Sequence, residues 1–218
     1  MDGGVLFQKL LVWRDSQARS GPENMAIDEW LMTQLGEVPI LRQYQWSGAW
    51  VSLGYFQSLR AAKMIFGSDS EYVRRWTGGG VVDHRDDATY SLMIPRSWQF
   101  ASIGGSESYR QIHAALARCL LDRGHSCELA SRDSARNSVA CFEKPVEWDL
   151  LCQGEKIAGA GQRRTRQGIL HQGSVAVKPL DLTELAGYLA KEVIDWTPEI
   201  EGKLNPRYES VAWTDRVL

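Results

Sequence analysis

The sequence predicts an α+β protein of mainly antiparallel sheets flanked by helices. Three observations predict it. Short alternating or apolar runs bounded by Gly, Ser, Asn or Pro recur at strand length. Three longer stretches carry helical spacing and helical start signals instead. Of the 218 residues, 44% are hydrophobic and 24% charged, enough apolar material for one large core.

Val5–Arg14 is apolar and Leu/Val-rich, hence a strand. Pro22-Glu23-Asn24 opens a helix over 22–35, with Glu23, Asp28 and Glu29 in its N-terminal half. Ile40, Arg42, Tyr44 and Trp46 alternate along a strand, and Ser47-Gly48 joins it as a hairpin to Trp50–Phe56. Tyr72–Trp76 is a short strand before three glycines, and Ala88–Ile94 is a strand stopped by Pro95. Ser106 or Ser108 caps a helix that runs to Gly124, with Ile112, Leu116, Cys119 and Leu120 on its inner face. Residues 131–147, with Ser131, Ser134, Asn137 and Pro145, read as a loop rather than a domain boundary. Val146–Cys152, Lys156–Arg164 and Ile169–Lys178 follow as strands separated by Gln153-Gly154-Glu155 and Gln167-Gly168. Asp181 caps a last helix to Lys191. No repeat or linker interrupts the chain, so 1–218 reads as a single domain.

Net charge narrows the function classes. With 25 Lys+Arg against 27 Asp+Glu, the chain is not built to coat nucleic acid or lie on an anionic membrane. No apolar run approaches the roughly 20 residues that span a bilayer. Met1-Asp2-Gly3-Gly4 lacks the basic start of a signal peptide, so a cytoplasmic protein is expected. Cys119, Cys127, Cys141 and Cys152 show no CxxC spacing, which argues for free thiols and against a metal site. Nine Trp suit a core and also a site that holds an apolar ligand.

Three segments could carry chemistry. The first is Arg74-Arg75-Trp76-Thr77-Gly78-Gly79-Gly80-Val81-Val82-Asp83-His84. Its glycines let backbone N–H groups approach a ligand, and two arginines could meet an anion. No Gly-Lys-Ser/Thr follows, so it is not a P-loop, and a glycine-rich turn beside surface arginines explains it as well. In the second, Lys156 opens a strand whose Ala158–Gly161 stretch has no bulky side chain, so another group can lie against that backbone. A lysine there can bind an anionic or carbonyl oxygen; the plain alternative is a hairpin turn with a solvated lysine. In the third, Leu170-His171-Gln172-Gly173-Ser174, a histidine inside an apolar strand is more often a hydrogen-bonded core residue than a catalyst. Cys141 becomes a nucleophile only beside a positive charge or a base.

Taken in order, these segments resemble the biotin/lipoate A/B protein ligase family, which includes lipoate–protein ligases and octanoyltransferases. Asn24-Met25-Ala26-Ile27-Asp28-Glu29 is similar to its first-helix motif, and Leu41–Trp46 with Val51–Gln57 to its early hairpin. Arg74–His84 is similar to its arginine–glycine loop, Thr89-Tyr90-Ser91 to the next strand, and Lys156-Ile157-Ala158-Gly159 with Gln162 to its lysine motif. Leu170–Ser174 resembles its His-Gly strand, and Arg207-Tyr208 with Trp213 the end of the catalytic domain. No biotin-type adenylation loop is present.

The resemblance implies transfer of an octanoyl or lipoyl group to a lysine of a lipoyl domain of a 2-oxoacid dehydrogenase, or of glycine cleavage H protein. It implies a substrate site from Arg74, Arg75, Thr77, Gly78, Gly79, Gly80, His84, Gly159, Ala160 and His171, with Lys156 catalytic. Two chemistries compete. A transferase takes octanoyl from acyl carrier protein onto a cysteine and needs no cofactor; a ligase uses ATP and Mg²⁺ to make an acyl-adenylate. The fifteen-residue separation from Cys141 to Lys156 resembles the LipM-type octanoyltransferases, and Thr89-Tyr90-Ser91 leans the same way. Asp149 and the third glycine, Gly80, resemble ligases. The transferase with Cys141 as nucleophile is the preferred reading, without a C-terminal accessory domain. A non-catalytic acyl-binding protein is a third.

Overall fold

The computed structural model describes residues 4–132, 145–177, 182–200 and 204–216. In chain order the elements are β1 (Phe7–Arg19), α1 (Gly21–Thr33), β2 (Ile40–Trp46), β3 (Trp50–Leu53), α2 (Leu59–Phe66), β4 (Glu71–Arg74), β5 (Val81–Asp83) and β6 (Ala88–Pro95). Then come α3 (Gly105–Asp122), β7 (Glu128–Leu129), β8 (Leu150–Cys152), β9 (Glu155–Arg164), β10 (Gly168–Val175), α4 (Leu185–Leu189), β11 (Ala190–Asp195) and α5 (Val211–Thr214).

Eight strands form one sheet in the order β11-β1-β2-β6-β10-β9-β8-β7, and three form a second, β4-β3-β5. The α+β class stands, but the large sheet is mixed. β1 runs parallel to both β2 and β11, and α1 forms the crossover between β1 and β2. From β2 to β7 every neighbour is antiparallel.

Strand alternation sorts the side chains into two layers. Tyr90, Leu92 and Ile94 of β6 face α3 and α4, packing with Ile112, Leu116, Leu120, Leu185 and Leu189. Met93 of β6 and Leu170 of β10 face the other side and pack with Ile27 and Leu31 of α1. The small sheet adds its own core, where Leu59 and Ala62 of α2 meet Val51, Leu53 and Val81.

Several expectations are corrected. Ile40–Trp46 and Trp50–Phe56 do not form a hairpin: β2 pairs with β1 and β6, while β3 stops at Leu53 and joins the small sheet. Ser47-Gly48 is a sheet switch. Gly48 sits at φ 104, and the Trp50 indole donates to the Ser47 carbonyl at 2.9 Å. β1 continues past Arg14 to Arg19. Helix α1 starts at a capping box in which Ser20 and Glu23 bond reciprocally. Helix α3 is preceded by Gly104, and Ser108 lies buried in its first turn, donating to the Gly105 carbonyl. Of Val146–Cys152 only the last three residues are strand. Asp181 lies outside the described residues, and the last helix ends at Leu189 because Ala190 begins a strand on the edge of β1. Helix α2, capped by Ser58, was not anticipated.

Candidate active site

The glycine loop lies between β4 and β5, where the small sheet meets the large one. Side-chain hydrogen bonds fix it from behind. Arg74 is fully buried, and its guanidinium donates to the carbonyls of Gly54, Tyr55, Gln57, Trp213, Thr214 and Arg216. Arg75 donates to the carbonyls of Ser52, Gly78 and Gly80 and to the Ser52 hydroxyl at 2.6 Å. Burial brings the Arg75 guanidinium down to about 10, which leaves it cationic at neutral pH. Arg75 thus shapes the loop through its carbonyls, and Arg74 ties the end of β4 to the 54–57 turn and to residues 213–216; neither stands at the surface to meet an anion. Thr77 donates to Gln172 of β10 at 2.7 Å, fastening the loop to the large sheet.

The small residues of β9 have the consequence expected of them. A Cβ on Gly161 would fall 2.3 Å from the Gly78 carbonyl oxygen, so only glycine lets the loop rest there. A Cβ on Gly159 would fall 2.6 Å from the Lys156 Nζ. The lysine therefore folds back over its own strand, on the face that carries the glycine loop. Two strand residues, about 7 Å, separate these positions. Gly79, at φ 93, is exposed between them and the turn at Gln57, whose amide donates to its carbonyl.

Asp149 holds the lysine. It is fully buried, and its Oδ2 lies 2.8 Å from Lys156 Nζ and accepts from the Val146 N–H at 2.8 Å. Its Oδ1 accepts from the Tyr109 hydroxyl at 2.5 Å. The lysine side chain keeps 31% of its surface exposed, so its ammonium can still meet a ligand.

A second polar group borders this face. Ser174 of β10 is paired with Gly159 and donates to Asp87, which also accepts from His84. The His84 ring stacks on Trp46 at 3.9 Å. Ser52 Oγ accepts from Arg75 and lies 2.6 Å from His84 Nε2, and His84 Nδ1 lies 2.7 Å from Asp87 Oδ2, so the chain of contacts runs from Arg75 to Asp87.

His171 stands apart from the other expected residues. It lies on the α3 face of β10, opposite the glycine loop, and is fully buried. Its Nε2 is 3.2 Å from the Tyr90 hydroxyl and its Nδ1 is 3.1 Å from the Gln162 amide. The side chain of Ala160 also lies on that face, where its backbone N–H donates to Tyr109. Cys141 lies outside the described residues. Of the cysteines described, Cys119 is buried, and burial pushes the Cys127 thiol up.

Burial keeps His171 well below the ordinary histidine range and brings His113 down to about 4. The unfolded chain would protonate both rings below about 6.5. Stability is therefore complete above that pH and is lost progressively as pH falls toward 4. The urea midpoint should drop between pH 7 and pH 5, with a shallower drop in His113→Gln. A midpoint that holds steady would contradict two buried neutral imidazoles.

Sequence reasoning missed a buried network behind the site. Asp28 of α1 accepts from Arg42 at 2.8 Å, from Gln172 at 2.7 Å and from Ser91 at 2.5 Å, which links the first helix to the Thr77 end of the loop. The alternation of Arg42 along β2 was its one visible signal.

A structure described as a putative lipoate protein ligase from T. acidophilum superposes with a TM-score of 0.72 at 18% identity, covering 96% of this chain and 99% of that one. A lipoate-protein ligase A bound with ATP gives 0.61 at 21% identity, over 87% and 76%. The profile of the lipoyl protein ligase A/B catalytic domain matches residues 20–203, and the chain belongs to that family. It is 38% identical over 167 residues to octanoyltransferase LipM of Kyrpidia tusciae, covering 70% of this chain and 60% of that protein. It is 34% identical over 177 residues to octanoyltransferase LipM of Moorella thermoacetica, covering 76% and 65%. The chain spans less than two thirds of the length of these two relatives.

Proposed function

We propose that this protein is an octanoyltransferase of protein lipoylation, with the described residues forming its catalytic domain. The observation that carries the reading is its likeness, at 34–38% identity, to relatives named octanoyltransferase LipM. The donor is octanoyl-acyl carrier protein, and the acceptor is a lysine of a lipoyl domain or of glycine cleavage H protein. The transferase itself uses no cofactor.

The Cys141 thiolate attacks the carrier thioester, and the carrier thiolate leaves. Protonated Lys156 and the loop N–H groups steady the oxyanion, and Lys156 gives its proton to the leaving sulfur. Neutral Lys156 then takes a proton from the incoming ammonium. The free amine attacks the acyl-cysteine, its second proton passes to water, and the Cys141 thiolate returns. His171 faces the other side of the sheet, so Lys156 is the base assigned here. Thr77, Gly78–Gly80, Gly159 and His84 border the substrate, Arg75 holds its loop, and Arg74 anchors the strand that leads into it.

The test is the intact mass of a lipoyl domain incubated with the protein and octanoyl-acyl carrier protein, without nucleotide. An octanoyl mass gain is expected, together with an octanoyl adduct on the enzyme when the acceptor is omitted. Cys141→Ser should abolish both. Modification that appears only with ATP, Mg²⁺ and free acid, and that survives Cys141→Ser, would make the protein a ligase.

A further inference from the structure

The contact that fixes Asp149 comes from α3. Pairing of β8 with β9 slips register at Leu150, and among the described residues no strand partner continues past it, so the Ala160 N–H faces an open edge. Tyr109 fills that rung. Its hydroxyl accepts from the Ala160 N–H at 2.8 Å and donates to Asp149 Oδ1 at 2.5 Å. One helical turn on, His113 Nδ1 donates to the Trp148 carbonyl at 2.7 Å, as positions four apart share a face.

Trp148 has φ 75, a left-handed backbone that a bulky residue adopts only when its surroundings impose it. Its indole donates to Ser106 at 2.9 Å, and its N–H donates to the Ala130 carbonyl at 2.9 Å. The strained residue is thus gripped by α3 and by the strand side at once. It stands immediately before Asp149 and turns that side chain toward Lys156.

We propose that Tyr109 and His113 are positioning residues for Lys156. His113 holds the Trp148 turn, and the Tyr109 hydroxyl occupies one Asp149 oxygen so that the lysine shares only the other. The inference rests on Lys156 being the proton-carrying group of the proposed transfer. Among the described residues, the titratable groups around the ammonium besides Asp149 are Glu155 beside it on β9, Tyr109 and His113 behind on α3, and Asp87 beyond Ser174. Burial keeps Tyr109 protonated and His113 neutral at pH 7, so Asp149 is the charge that Tyr109 can moderate.

Tyr109→Phe keeps the ring against His113 and removes only the hydroxyl. The charge it had satisfied then falls on Lys156, whose proton is held more tightly. Trace acetic anhydride labelling of Lys156 across pH, read by peptide mass spectrometry, measures this in the free protein without donor or acceptor. The labelling midpoint should rise by about half a pH unit or more in Tyr109→Phe. No rise should occur in an Asp149→Asn background, because the hydroxyl acts through that carboxylate. An unchanged midpoint, or a rise that persists beside Asp149→Asn, overturns the proposal. Should Tyr109→Phe lose its cooperative melt, 3-fluorotyrosine at position 109, a stronger donor of the same shape, should lower the midpoint; no movement there overturns it equally. In the transfer assay Tyr109→Phe should lose kcat with the KM for the carrier unchanged. A wild-type protein that transfers nothing would defeat the functional reading, while the labelling result would still decide the role of Tyr109.

Discussion

Lys156→Ala should lower octanoyl transfer by about 10²–10³-fold, the usual cost of removing one preorganised oxyanion donor. The effect is chemical because of where the side chain lies. Its tip rests on Gly159, beside the glycine loop, and it remains partly open to solvent. Removing it also strips a cation from buried Asp149, although Tyr109 and Val146 still donate to that carboxylate. Stability should therefore fall in Lys156→Ala and recover in Lys156→Ala/Asp149→Asn, whereas activity should recover in neither. Thermal melts beside the mass-based transfer assay separate the two. A double variant that is stable and fully active would remove Lys156 from the chemistry.

Arg42→Met should destabilise the fold by about 3–5 kcal/mol, the cost of leaving buried carboxylates without their cation. Arg42 is completely buried between Asp28, at 2.8 Å, and Asp15, at 2.9 Å, and also donates to the Asn24 side chain at 2.7 Å. Its guanidinium lies 4.2 Å from the Tyr44 ring centroid, so lysine is a poor substitute. Met retains the packing volume, and any loss then reports the charge. The companion variant Arg42→Met/Asp28→Asn should regain a large part of the loss. Urea unfolding of the three proteins would show it, and a loss below about 1 kcal/mol for the single variant would mean the carboxylates find other partners.

The glycine loop and the lysine strand were legible because each is a continuous run of residues with an unusual backbone demand. Their meeting was legible too, in outline: the absence of bulk at Ala158–Gly161 called for a neighbour, and the neighbour is the Gly78 carbonyl. The network of Asp15, Asp28, Arg42 and Gln172 was not, because its members come from four elements and each looks ordinary alone. The face that His171 takes was not legible, because alternation assigns it only once the pairing with β6 and β9 is fixed. Ser47-Gly48 looked like a hairpin turn because the local signal is the same. In the fold β3 pairs with β4 and β5, and its Trp50 packs against Gly21 at the start of α1, contacts that no local signal carries. Tyr109 carried no signal, since its partner is a backbone edge that exists only where β8 ends.

The many carbonyls around Arg74 also bear on the order in which the molecule can be built. Three of them, on Trp213, Thr214 and Arg216, stand 139 to 142 residues downstream. During synthesis the ribosome must therefore add 142 residues beyond Arg74 before that guanidinium finds its full set of acceptors. Until then a cation meant for the interior remains hydrated, and the backbone leading into Gly78–Gly80 has one anchor rather than two. The glycine loop is written early and finished late. A nascent chain would complete its sheets first and the seam at the glycine loop last.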